Sequence, residues 1–170
     1  METRAAALAV EPMAPADWPA VRRIYEEGIA TGRATLETEA PEWEAWDRVH
    51  RPECRFVARR DHAVVGWVAL NAASRRAVYR GVAEVSVYVA ADARGSGVGR
   101  ALFEALIPAS ESAGIWTIQA GVMADNEPSL RLHEAAGFRR VGVRERFGQD
   151  RDGRWRDVVL LERRSAVVGT

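Results

Sequence analysis

The chain has a single cysteine, no long apolar run, and no excess of charge of either sign. A lone thiol, Cys54, cannot close an internal disulfide, which fits a reducing, cytoplasmic setting. Its expected part is that of a small packing residue rather than a nucleophile. No apolar stretch approaches the roughly 20 residues of a membrane span. The early run from Ala5 to Val10 is too short for a secretion signal and is stopped by Glu11 and Pro12. Lys plus Arg and Asp plus Glu each total 24, so the formal net charge is zero. That balance argues against a nucleic-acid binder or a polybasic membrane binder. His50, His62 and His133 show no metal-ligand spacing, so no metal is expected.

The 170 residues, 48% hydrophobic and 28% charged, suit one soluble domain over 1–170 with a loose leader over 1–7. Leu8 to Glu11 reads as a first strand. Asp17 is placed to cap a helix with Pro19 in its first turn. Val21, Ile24, Tyr25 and Ile29 keep helical spacing, and Gly28 and Gly32 mark the end. Pro41 opens a second helix carrying Trp43, Trp46 and Val49, closed by Pro52. The Trp pair reads as core, with a wall of a substrate site as the alternative. Arg55 to Arg60 and Val64 to Asn71 read as strands joined at Asp61 and His62, and Val82 to Val89 as a third.

A helical face follows at Val98, Leu102, Ala105, Leu106 and Ala109. Pro108 removes the donor to the Glu104 carbonyl, which predicts a kink or an early end. Trp116 to Val122 reads as a strand, and Asn126 to Ala136 as a helix stopped by Gly137. Phe138 to Arg146 and Val158 to Glu162 read as final strands around a polar turn at Asp150 to Gly153. The order is neither strict βαβ alternation nor all-β. It predicts an α/β fold: a mixed sheet with helices on both faces.

The most informative stretch is Arg94-Gly95-Ser96-Gly97-Val98-Gly99-Arg100, set between the strand ending at Val89 and the helix starting near Val98. Glycines strip side chains from a turn so that backbone N–H groups converge, and the helix N-terminus adds partial positive charge. The pattern predicts a phosphate cradle. A dinucleotide fingerprint needs its third glycine one place later and an acidic partner that is missing here. A nucleotide P-loop needs Gly-Lys-Ser/Thr, whereas Gly99 is followed by Arg100 and Ala101.

The loop satisfies the Gln/Arg-x-x-Gly-x-Gly/Ala form of the acetyl-CoA loop, so the chain resembles the GNAT superfamily of N-acetyltransferases. A second block, Asn126-Glu127-Pro128-Ser129 through Ala135-Ala136-Gly137-Phe138, is similar to that superfamily's later motif. A narrower resemblance runs through Ile24-Tyr25, Thr35-Leu36-Glu37-Thr38-Glu39, Tyr79, Glu84 to Val89, Leu132-His133-Glu134 and Gly153 to Asp157. These segments look like the phosphinothricin acetyltransferase family, whose members acetylate the α-amino group of phosphinothricin, methionine sulfoximine or methionine sulfone.

The resemblance implies a central twisted mixed sheet and a homodimer, with acetyl-CoA as co-substrate and a small-molecule amine as acceptor. It implies that Arg94, Gly95, Ser96, Gly97, Val98, Gly99 and Arg100 hold the pyrophosphate, with charge-assisted contacts from the two arginines. The strand Val87-Tyr88-Val89 would pair with the pantetheine arm and polarise the thioester carbonyl through its backbone. Asn126 would cap its helix, bond the pantetheine, or do both, and Ser129 would contact CoA. Glu84 is the candidate general base, a carboxylate in an apolar strand whose pKa desolvation can raise. His133, on one helix face with Ser129 and Asn126, is the candidate acid for the leaving thiolate. Leu36, Glu37, Arg76, Val78 and Tyr79 fall in the substrate segments with Glu84, and Arg76 would meet the acceptor's carboxylate. Ala73 and Leu36 stand where some members carry aromatics. Other amines (polyamines, aminoglycosides, a protein N-terminus) and a non-catalytic acyl-CoA-binding module are the alternatives.

Overall fold

In a computed structural model the described residues are 7–170. The leader expected over 1–7 therefore lies outside them, apart from the exposed Ala7. The elements are β1 (Leu8–Pro12), α1 (Trp18–Ala30), α2 (Trp43–Val49), β2 (His50–Arg60), β3 (Ala63–Ala72), β4 (Val82–Val89), α3 (Val98–Ser112), β5 (Thr117–Met123), α4 (Glu127–Ala135), β6 (Arg139–Gln149) and β7 (Trp155–Arg164). They form one seven-stranded sheet in the order β1-β2-β3-β4-β5-β7-β6. Every neighbouring pair is antiparallel except β4 with β5.

Alternation along β3 shows that helices cover both faces. A Cβ at Gly66 would lie 2.7 Å from Val98 of α3. The next residue, Trp67, points the other way, packing edge-on against Tyr25 of α1 and Trp46 of α2. Helices α3 and α4 thus share one face, tied by Phe103 against His133 at 5.2 Å between ring centroids. Helices α1 and α2 cover part of the other. Trp46 is 1% exposed and belongs to the core, which settles its role as packing rather than a ligand wall. Trp43 is partly buried against the same core.

Four local expectations need correction. Asp17 does not cap α1; its carboxylate accepts the Ala14 N–H at 2.8 Å and pairs with Arg59, closing a single 3-10 turn ahead of the helix. A buried carboxylate takes the stronger, charged partner when one is in reach. Pro52 does not close α2, which ends at Val49 and passes directly into β2; Pro52 sits inside β2 where the β2–β3 register jumps between His50 and Arg55. An irregularity is where a residue lacking an N–H is tolerated in a sheet. Pro108 does not end α3, which continues to Ser112. Pro108 and Glu104 are both exposed, so the orphaned carbonyl faces water. The last two strands run further than their apolar cores suggested, because β6 and β7 hydrogen-bond through polar positions out to Gln149 and Trp155. Cys54 is fully buried, and desolvation pushes its thiol up to about 11, consistent with packing.

Candidate active site

The site begins where the sheet opens. The parallel pair β4–β5 is in register only over Val82–Glu84 and Thr117–Gln119. Beyond Glu84 the two strands part, while β4 stays paired to β3 as far as Val89 and β5 stays paired to β7 as far as Met123. Each strand therefore keeps one edge with no strand alongside it. Unpaired main-chain N–H and C=O groups there are ready to bond an extended ligand.

The opening leads to a cavity of about 630 Å³, lined by Val87 to Val89, the loop from Arg94 to Arg100 (Ser96 apart), and Asn126, Ser129 and Leu132 of α4 and its cap. The three glycines have separate tasks. Gly95 and Gly97 have φ of +72° and +84°, and a Cβ on either would meet open space. They are there for backbone conformation. Gly97 caps α3, whose first-turn N–H groups lack partners within the helix, and Val98 to Arg100 of that turn line the cavity. Gly99 is different: a Cβ there would come within 2.8 Å of Leu132, so it allows α3 and α4 to pack closely. Arg94 and Arg100 line the cavity with exposed guanidinium groups. Ser96 does not line it; its hydroxyl donates to the Ala93 carbonyl and accepts from Arg60, which braces the loop from behind. Arg33 and Asp125 also line the cavity, and no sequence motif marked them.

Asn126 caps α4 as expected, its side-chain oxygen accepting the Ser129 N–H at 3.3 Å. Its amide also donates to the Arg33 carbonyl at 3.1 Å, which ties the α1–α2 loop to the mouth of the cavity. The Tyr88 side chain turns away from α3 and stacks on Trp67 with centroids 5.0 Å apart. Gly28 leaves room for that ring; a Cβ would lie 2.7 Å from it. Tyr88 therefore offers the cavity its backbone while its ring anchors β4 to the core.

A second cavity of about 320 Å³ continues from the first, and Ala34, Val87, Tyr88 and Ser129 line both. Glu84 and His133 meet here. The Glu84 side chain is exposed, and its carboxylate is 3.4 Å from the Gln119 amide. His133 is 3% exposed. Burial, above all, lowers its pKa, and the Ser129 carbonyl opposes that shift. The ring is therefore neutral near pH 7. Nδ1 lies 2.7 Å from the Ser129 carbonyl and must carry the proton to donate to it, leaving the lone pair on Nε2.

Leu36 and Glu37 line this second cavity, as the sequence indicated. Arg76, Val78 and Tyr79 do not. They sit on an exposed single turn, Ala77–Tyr79 preceded by Arg76, with the Arg76 guanidinium 5.2 Å from the centre of the Tyr79 ring. The cation that does line the cavity is Arg144 of β6, together with Phe147. Nothing in the β6 sequence marked these residues, since their approach depends on a strand irregularity rather than on a motif.

Comparison with known proteins agrees with this geometry. The model of the Acetyltransferase (GNAT) family matches residues 18–138. The chain is 37% identical over 158 residues to the phosphinothricin N-acetyltransferase of Alcaligenes faecalis, covering 86% of this chain and 77% of that protein. It is 30% identical over 154 residues to the L-methionine sulfoximine/L-methionine sulfone acetyltransferase of Pseudomonas paraeruginosa, covering 86% and 88%. Among solved structures, a GNAT superfamily phosphinothricin acetyltransferase from Sinorhizobium meliloti in complex with AcCoA superposes with a TM-score of 0.85 at 26% identity, covering 95% of this chain and 90% of that one. With its opened parallel pair, its glycine loop and its capped α4, the chain belongs to the GNAT family and is an N-acetyltransferase.

Proposed function

We propose that this enzyme transfers the acetyl group of acetyl-CoA to the α-amino group of a small amino acid analogue of the phosphinothricin, methionine sulfoximine or methionine sulfone type. The observation that carries this reading is the continuity of the two cavities through Val87, Tyr88, Ala34 and Ser129. A thioester delivered along β4 meets an amine held near Glu84, so direct attack in a ternary complex needs no acetylated residue. The buried Cys54 offers no competing nucleophile.

In this scheme the loop from Arg94 to Arg100 binds the pyrophosphate, and the free edge of β4 at Val87 to Val89 binds the pantetheine arm. A main-chain N–H there polarises the thioester carbonyl. Glu84 takes the ammonium proton directly or through water, the amine nitrogen attacks the carbonyl carbon, and the C–S bond breaks. The nitrogen gives up two protons in all: the first leaves through Glu84 to solvent, and the second, lost as the amide forms, balances the one gained by the thiolate, so no external acid is needed. His133, neutral and with its Nδ1 proton committed to Ser129, serves as a hydrogen-bond acceptor through Nε2 rather than as the thiolate's acid.

The assembly we propose is a homodimer in the cytoplasm. Supporting it is β6, an 11-residue edge strand exposing Val141, Val143 and Phe147, with Trp155 of β7 beside it. Light scattering of the purified protein checks the dimer. The activity is tested by following free thiol with acetyl-CoA and a panel of phosphinothricin, methionine sulfoximine and methionine sulfone. The chain has no lysine, so acetylation of its own lysines cannot contribute to the signal. Thiol release with these acceptors is expected; none across the panel removes the substrate assignment.

A further inference from the structure

We propose that Arg156 of β7 is a positioning residue for acetyl-CoA: by holding Asp125, it keeps a carboxylate in the wall of the CoA cavity from opposing the anionic cofactor. This rests on the acetyl-CoA reading above and gives a part to a side chain that lines neither of the two cavities.

Among the described residues, four charged side chains line the CoA cavity: Arg33, Arg94, Arg100 and Asp125. The three guanidinium groups match a phosphate-bearing ligand in charge. Asp125 does not. It stands directly before the Asn126 cap of α4, with its side chain 54% exposed. A bare carboxylate there repels a ligand that carries several negative charges. The Arg156 guanidinium removes that conflict from outside the cavity. Its Nη2 donates to both Asp125 oxygens, at 3.0 and 2.8 Å.

The guanidinium is fixed by the fold before any ligand arrives. Its Nη1 donates to the Gly32 carbonyl at 3.0 Å and to the Asp150 carboxylate at 3.3 Å. Asp150 is itself set by the turn between β6 and β7, where its Oδ1 accepts the N–H groups of Asp152 and Arg154, both at 3.0 Å. That leaves its Oδ2 for Arg156. A planar fork serves three acceptors at once, which the point charge of a lysine does not match. An isolated surface ion pair adds little to stability. Here the pair belongs to a network, and its effect is read in ligand affinity rather than in stability.

The bond to Gly32 ties the same network to the cavity wall. The next carbonyl, that of Arg33, accepts the Asn126 amide at 3.1 Å. Asp125 and Asn126 therefore hold consecutive residues of the α1–α2 loop, one through Arg156 and one directly. Arg33, a cation of the wall, is carried by the segment that Arg156 anchors.

The test is a double-mutant cycle: calorimetric Kd for acetyl-CoA in wild type, Arg156→Gln, Asp125→Asn and the double variant. At low salt Arg156→Gln weakens binding by about fivefold or more. Made in the Asp125→Asn background, the same substitution weakens it by less than about twofold, because no carboxylate is left to cancel. The difference between the two backgrounds shrinks in about 0.5 M salt, where exposed charges are screened. A purely structural role for Arg156 would give neither result. Arg156→Lys, which keeps the charge and loses the fork, retains affinity within about threefold. The proposal is overturned by equal losses with and without the Asp125 carboxylate, by unaltered affinity in Arg156→Gln, or by a coupling that salt does not move. If Arg156→Gln does not fold, a folded Arg156→Lys that binds about fivefold or more weakly overturns it as well. Wild type that shows no binding of acetyl-CoA overturns the cofactor reading itself, and the role of Arg156 with it.

Discussion

Glu84 and His133 reach one cavity from opposite faces of the sheet. Glu84 shares its face of β4 with Tyr88, on the side packed by α1, whereas His133 comes from α4 and packs on Phe103 of α3. They meet because β4 and β5 separate just after Glu84. The gap brings an exposed carboxylate and a buried neutral imidazole to one cavity, two environments suited to different tasks.

The burial of His133 makes a prediction about acid stability. Its folded pKa lies below the ordinary value of 6.5, so the unfolded chain binds more protons in the window just below that value. The contribution is fully present above the ordinary pKa and is lost as pH falls through it toward the folded one. His50, also lowered chiefly by burial, acts in the same direction. Urea midpoints measured at pH 7.5 and pH 5.5 should fall on acidification, and fall less in His133→Gln. Equal slopes in the two proteins contradict the buried, neutral ring.

The glycine loop makes a second prediction. Alanine at Gly97 must adopt a left-handed conformation that costs about 1–2 kcal/mol, so the cradle distorts and acetyl-CoA binding weakens by roughly tenfold. Calorimetric titration of acetyl-CoA checks it. Unaltered affinity in Gly97→Ala means that the loop does not hold the pyrophosphate.

Gly28 tests how the core supports the site. Its added Cβ would lie 2.7 Å from the Tyr88 ring, which is itself packed on Trp67 and Tyr25. Overpacking of this kind costs about 1–3 kcal/mol, against at most about 1 kcal/mol gained in helix propensity. Gly28→Ala should lower Tm and weaken acetyl-CoA together, since the same ring anchors the β4 edge. A higher Tm contradicts that packing.

What the sequence disclosed follows from the range of the interactions. The loop at Gly95 and Gly97 and the Asn126 cap were legible because each is fixed by the backbone needs of a few adjacent residues. The helical faces of α1 and α3 were legible from their period. The parting of β4 from β5 was not, since it depends on pairing between segments 35 residues apart. Nor was the irregularity at Arg144 to Gly148, because a register shift leaves no periodic trace in a polar edge strand. Arg76 and Arg144 look alike as sequence, and only the fold puts one outside the cavity and the other on its wall. The apolar neighbours of Glu84 in sequence left its burial open, and only the fold shows its side chain exposed.

The central claim is that Glu84 handles the acceptor's proton in a cavity separate from the CoA cradle. The most direct measurement sets kcat of Glu84→Gln with methionine sulfone beside its Kd for acetyl-CoA. Removing a general base costs about 100-fold or more in rate. The account predicts such a loss with acetyl-CoA affinity unchanged; a variant that turns over at the wild-type rate, or that loses acetyl-CoA binding in proportion to rate, contradicts it.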